Sequence, residues 1–246
     1  MPKDVPHPTT APVGKPAKPA AAPIRRGRPK DPEKRVAILK AAKTLFSQRG
    51  FGDTSMDALA RAAGVSKLTL YSHFADKDAL FVAAVIATSE AHAPPAFFDP
   101  SRPQPLRARL TQIGLGFVDL VMDDEVVSFY RMMAAQARTD DRMGKLFYAA
   151  GPAPTLRQFA QLLRSANESG ELRVDNPQSA AEHFFCLLKG VHHLQVLMAC
   201  RGPLTTAERK QHVNDVVEMF LRAYQSPSVG RVKASHSQST SGAKGR

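Results

Sequence analysis

At 246 residues the chain can bury one large hydrophobic core or two moderate ones. Its 43% hydrophobic content is ordinary for a globular protein, and no apolar run reaches the ~18 residues of a bilayer span, which excludes a helical membrane protein. The net charge of +12 sits mostly at the ends, so the overall charge overstates what the middle of the chain offers to nucleic acid.

At the N-terminus Lys3, Lys15, Lys18, Arg25, Arg26, Arg28 and Lys30 face Asp4 alone. Residues 1–24 are Pro-, Ala- and Lys-rich with few large apolar groups, and so are expected to form a disordered basic tail. They carry no apolar h-region, so no signal peptide is expected. The cluster at 25–30 is either a solubilising tail or an arm that lies on phosphates or enters a minor groove, with Arg28 as its candidate contact. Asp31 and Pro32 start a first helix with Val36, Leu39, Ala42, Leu45 and Phe46 as its core stripe, ended by Gly50.

The stretch Ser55 to Lys77, SMDALARAAGVSKLTLYSHFADK, follows. Ser55 can cap a short helix whose Met56, Leu59, Ala60 and Ala63 recur at helical spacing, and Gly64 supplies the left-handed exit. Ser66 can cap a second helix anchored by Val65, Leu70 and Phe74. Two short helices across a Gly-containing turn make a helix-turn-helix, and the second is the right size for a major groove. It carries Lys67, Thr69, Tyr71, Ser72 and His73, all able to hydrogen-bond, and Lys77 follows at the start of the next helix, well placed for a phosphate. An ordinary helical hairpin in an all-α core is the competing reading.

Asp76 can cap a helix running toward His92, where Pro94 and Pro95 stop it. A Pro-rich loop over 94–105 precedes a helical pattern from Leu106 through Val121, with Phe117 on it. Asp123 and Asp124 can cap the next helix, which carries Phe129, Met133 and Ala137. Shorter helices are expected near Arg142–Ala149 and Thr155–Ser169, then a connector over 170–176. Gln178–Cys200 is apolar nearly all round, so it needs cover on more than one side, and a second subunit is one cover. Thr205–Tyr224 is the last helix. Residues 226–246 are again Ser-, Gly- and Lys-rich and are expected to be disordered.

Residues 28–82 resemble the DNA-binding domain of TetR/AcrR-family transcriptional regulators. The resemblance is carried by A-A-x-x-L-F-x-x-x-G-F at Ala41–Phe51, Thr54-Ser55, A-x-x-A-G-V-S-K at Ala60–Lys67, T-L-Y-x-H-F at Thr69–Phe74 and K-x-x-L-F at Lys77–Phe81. Leu68 departs from the pattern, standing where many members carry Gly; its side chain can meet a thymine methyl or simply pack. Gly116–Gly190 further resembles the ligand-binding region of AefR-like members.

The resemblance implies an all-α fold: a three-helix head over 25–76 and a C-terminal effector-binding and dimerisation domain over 77–225. It implies double-stranded DNA as partner, read at a palindromic operator by a homodimer paired through 178–200 and 205–224. Lys67, Leu68, Thr69, Ser72 and His73 would face bases or phosphates, while Ser55, Tyr71 and Lys77 would hold the backbone. An unidentified small ligand, hydrophobic in character, would bind the body, with Phe117, Phe129, Met133, Phe159, Leu163, Phe185 and His192 as candidate lining.

An enzyme is not expected, since the chain has no Gly-rich phosphate loop, nucleophile elbow, H-E-x-x-H or C-x-x-C. No cofactor or metal is expected either: adjacent His192 and His193 point apart, and Asp123-Asp124-Glu125 suits a helix N-terminus. Cys186 and Cys200 read as reduced core cysteines of a cytoplasmic protein. A non-specific architectural DNA-binding protein driven by the basic tails is the alternative.

Overall fold

The structure is a computed structural model that describes residues 31–136 and 141–225. The readings made for Arg28, for both tails and for Ala137 lie outside the described residues. The described residues are helical, with no strand beyond one isolated antiparallel bridge between Leu172 and Gln225.

Four helices make the first group: α1 (Pro32–Arg49), α2 (Met56–Ala62), α3 (Lys67–His73) and α4 (Lys77–His92). The cap residues behave as their chemistry requires. Asp31 Oδ1 accepts from Glu33 N–H at 3.0 Å, and Asp76 Oδ1 from Ala79 N–H at 2.7 Å. The buried stripe of α1 is Ile38, Ala41, Ala42, Leu45 and Phe46, spaced i, i+3, i+4, i+7, i+8. Val36 lies two residues off that stripe and is 66% exposed, which corrects its placement in the core.

Phe46, Phe51 and Phe81 form a ring triangle with centroids 5.5–5.7 Å apart. Around it gather Leu59, Leu70, Phe74 and Leu80, all buried.

The remaining helices are α5 (Leu106–Met122), α6 (Asp124–Gln136), α7 (Asp141–Ala150), α8 (Pro152–Glu168), α9 (Pro177–Leu197) and α10 (Thr206–Tyr224). Their core stacks Phe159 on Phe184 at 4.6 Å, with Phe185 and Phe220 edge-on or tilted around them. Two close approaches set how these helices cross. A Cβ at Gly116 of α5 would stand 2.1 Å from the His92 carbonyl oxygen at the end of α4. Gly190 interrupts α9 with φ 50°, ψ −163°, a conformation that side chains oppose, and His212 Nε2 lies 2.9 Å from the Leu188 carbonyl there. Cys186 and Cys200 are exposed, which corrects their placement in the core: the inward face of α9 is taken by Phe184, Phe185 and Leu188, and Cys200 lies beyond the helix end.

The two helix groups share packing. Phe129 of α6 lies 5.7 Å from Phe81, and Met143 of α7 is buried among the first group. Lys43 of α1 pairs with Asp123 at 3.4 Å and Glu125 at 3.0 Å, and Thr44 Oγ1 donates to Glu125 at 3.2 Å. Burial opposes the Lys43 charge, but the two carboxylates outweigh it and raise its pKa.

Candidate nucleic-acid interface and cavity

The geometry of the hairpin is set by two serines and one glycine. Ser55 Oγ accepts from Ala58 N–H and Ser66 Oγ from Thr69 N–H, each at 3.1 Å, fixing where α2 and α3 begin. Gly64 turns the chain between them at φ 64°. Leu70 and Phe74 then bury one side of α3, and the Arg35 guanidinium lies 4.7 Å from the Phe74 ring centre.

The opposite side of α3 is bare. Lys67, Leu68, Tyr71 and Ser72 are exposed, and Thr69 and His73 are half-buried. Leu68 is 82% exposed, an apolar side chain with almost nothing to touch in the free protein. Lys67 Nζ rests on Asp57 of α2 at 2.8 Å, a pairing that the hairpin makes possible and that raises the lysine pKa. Ser72 Oγ donates to the Thr69 carbonyl at 2.7 Å, and His73 Nδ1 is buried without a partner among the described residues.

Lys77 differs from its companions. Its Nζ donates to the carbonyls of Phe51, Gly52 and Thr54 at 2.7, 3.3 and 3.0 Å and lies 4.3 Å from the Phe51 ring centre. Desolvation lowers its pKa, with Asp53 opposing. The amine therefore ties the α1–α2 turn to the start of α4 instead of pointing at solution, and the expected backbone contact is not available to it in this conformation.

A cavity of about 280 Å³ lies between the two groups of helices. Of the seven lining residues expected from the sequence, Phe117, Phe129 and Phe185 line it. Phe159 and Leu163 are fully buried in the body core instead, and Met133 packs against the first cluster. His192 is elsewhere, with its ring 5.2 Å from that of His212 and Nδ1 3.3 Å from Arg201. The physical reason is position along the helix: Met133 follows Phe129 and Tyr130 on α6, and Phe159 and Leu163 follow Thr155 and Leu156 on α8, at spacings that keep one face but run past the hollow, while His192 lies beyond the Gly190 break in α9. Phe46, Phe81, Tyr130, Phe147 and Tyr148 complete the aromatic wall, and Lys43, Glu125, Glu182 and Lys189 are its charged members. Lys43, Phe46 and Ser47 belong to α1, so whatever fills the cavity touches the helix that supports α2 and α3.

On the far side of the molecule's C-terminal helices, Leu187, Val191 and Leu194 of α9 and Met219 of α10 are exposed, Val191 by 60%. Isolated exposed leucines are common; a run of them on adjacent helices is not. No group of three or more metal-ligating side chains exists among the described residues, and none of the described helices is long and apolar enough to cross a membrane.

A family model described as bacterial regulatory proteins, tetR family, matches residues 38–84. Another, described as the AefR-like transcriptional repressor C-terminal domain, matches 108–226. The HTH-type transcriptional regulator UidR of Escherichia coli K12 is 28% identical over 149 residues, covering 57% of this chain and 70% of UidR. RutR of the same organism is 46% identical over 52 residues, 21% of this chain and 24% of RutR. Among solved structures, a TetR-family transcriptional regulator from Mesorhizobium loti superposes with a TM-score of 0.65 at 27% identity, covering 79% of this chain and 98% of that one. The flavonoid-responsive regulator FrrA superposes at 0.58 and 32% identity with the same coverage.

Proposed function

The chain belongs to the TetR family of transcriptional regulators, and from that premise we propose that it is a homodimeric repressor released from a palindromic operator by a small hydrophobic ligand. The observation that carries the reading is the split character of α3. Leu70 and Phe74 are buried while Lys67, Leu68, Tyr71 and Ser72 project outward, which is the division a groove-reading helix needs.

Phosphate contacts set register, and the base-facing subset sets sequence. Lys67, Leu68, Thr69 and His73 are the base-facing candidates. Ser55, Tyr71 and Ser72 are candidates for the sugar-phosphate backbone. For Lys67, DNA must compete with Asp57, so the aspartate holds the amine in place until a phosphate or guanine displaces it. On this reading residues 25–76 serve as the DNA-binding domain and the remainder to 225 as the effector-binding and dimerisation domain, acting at the chromosome in the cytoplasm.

Two copies pair through 178–200 and 205–224, where the exposed apolar side chains of α9 and α10 lie. A two-fold axis there sets two α3 helices about one DNA turn apart, ~34 Å. The ligand site is the cavity between α1, α4 and the body. The similarity to the flavonoid-responsive regulator FrrA supports a ring-bearing ligand, in keeping with the aromatic wall. Coupling between ligand and operator of ~1–3 kcal/mol is the usual range.

The test is a mobility shift against DNA upstream of the gene across a salt series, with the full chain and with residues 1–30 and 227–246 removed. One discrete palindromic site that survives removal of the tails is the expected result. Sequence-blind binding that disappears with the tails identifies an architectural protein instead.

A further inference from the structure

The charged groups around the cavity are not equivalent. Lys43 is neutralised by Asp123 and Glu125. Glu125 is in turn engaged by Lys43 and Thr44. Glu182 is exposed and accepts from Gln178 Nε2 at 3.2 Å. Lys189 alone among these has no carboxylate partner among the described residues; its Nζ lies 5.7 Å from the centre of the Tyr130 ring. Glu182, Phe185, Cys186 and Lys189 share one face of α9 at spacings of three and four, so the lysine stands on the same wall as the aromatic lining. Glu182 is two helical turns away, ~10 Å along the axis, too far to quench it.

An ammonium beside an apolar, aromatic wall prefers an anionic partner, because a charge-assisted hydrogen bond is stronger than anything the neighbouring rings can accept. Its charge is felt deeper in. His193 is buried edge-on to Tyr130 with Nδ1 unpartnered, and its pKa is lowered by burial first and by Lys189 second. Around this corner stand Phe117 and Phe185 at 4.6 Å, with Phe129 and Phe147 at 5.6 Å. Rings of this number favour a flat aromatic guest, which offers faces and edges to match theirs.

We infer that the cavity takes an aromatic weak acid, its rings among Phe117, Phe129, Phe147 and Phe185 and its carboxylate or phenolate on Lys189. This rests on the reading of the cavity as the effector site and narrows the ligand from hydrophobic to aromatic and anionic. Lys189 is then the residue that sets specificity for charge, and the phenylalanines set specificity for shape.

The experiment is calorimetric titration of the full-length protein with a matched set sharing one ring system: 2-naphthoate, 2-naphthalenemethanol and 2-naphthylmethylammonium, with decanoate as an acyclic acid. Wild type is expected to bind 2-naphthoate about tenfold or more tighter than the alcohol, and the ammonium weakest. Lys189→Met is expected to remove that advantage while leaving the alcohol's affinity unchanged, and Lys189→Arg to restore it. Equal or tighter binding of the alcohol or ammonium, a uniform loss across all probes in Lys189→Met, tighter binding of decanoate than naphthoate, or no binding by any probe overturns the proposal. Operator affinity is read in the same samples. Naphthoate that binds through Lys189 without altering it upholds the ligand chemistry and removes the cavity's assignment as effector site.

Discussion

The DNA-facing hairpin and the cavity are built in opposite ways. The hairpin is local in its caps and outward side chains, which come from about twenty consecutive residues, and only its anchors Leu59, Leu70 and Phe74 reach the core shared with α1 and α4. The cavity draws on α1, α4, α5, α6, α7, α8 and α9, so its shape depends on how far apart those helices stand. A surface of the first kind tolerates change in its display without loss of fold. A hollow of the second kind does not, because the residues that line it also hold neighbouring helices at their distances.

The strongest way to break that contrast is at Phe81, which touches Phe46 and Phe51 in one group and Phe129 in the other. Phe81→Ala should cost about 3–5 kcal/mol in urea unfolding. It should also widen the cavity. A hairpin that keeps operator binding in the folded fraction would show the two regions to be independent.

Gly116→Ala comes next. The new Cβ meets the His92 carbonyl, which cannot rotate away, so α5 and the end of α4 must separate at a cost of about 1–3 kcal/mol. Operator affinity should change although residue 116 lies far from α3, and an unchanged affinity would show that the end of α4 does not transmit.

Lys67→Ala and Tyr71→Ala act on the display alone. Each should weaken operator binding by about 1–3 kcal/mol in a mobility-shift titration, with the melting temperature unmoved. Lys67→Ala should also change base preference, whereas Tyr71→Ala should weaken all sequences alike.

Lys77→Met sharpens the division. If its amine ties the turn to α4, stability falls by about 1 kcal/mol, allowing for its partial exposure, and the salt dependence of DNA binding stays the same. A shallower salt slope with unchanged stability would make it a phosphate contact after all.

The smallest effect is at Glu208. The Thr205 N–H and hydroxyl, and then Arg201, hold its carboxyl down to about 2 from 4.5. A depressed folded pKa gives stability that is present above the unfolded value and is lost as pH falls toward 2. Acid unfolding of Glu208→Gln should therefore differ from wild type above about pH 4.5 and converge with it near pH 2.

These regions also differ in how much of them the sequence made legible. The bounds of α2 to α4 follow from Ser55, Ser66 and Asp76, whose side chains accept from backbone N–H groups, and from Gly64, which supplies the left-handed turn. The partners of Lys77 are carbonyls, which leave no mark in a sequence. The pairing of Lys67 with Asp57 exists only once the hairpin closes, so the intervening residues hide it from a linear reading. In the body, helix existence is readable from periodicity, but Phe159 shares its face of α8 with the lining residues Thr155 and Leu156, and only the packing of the other helices decides where along that face the hollow ends. Arg131, which donates to the Val196 and Leu197 carbonyls at 2.6 and 2.8 Å, could not be paired in advance with residues 65 or more positions away.

The break at Gly190 restricts the company α9 can keep. Leu187 precedes it, while Val191 and Leu194 follow, so the bare ridge changes direction partway along. A straight rod laid on such a ridge seats on one segment or the other and leaves a gap under the rest. Whatever covers it must follow the same change of direction.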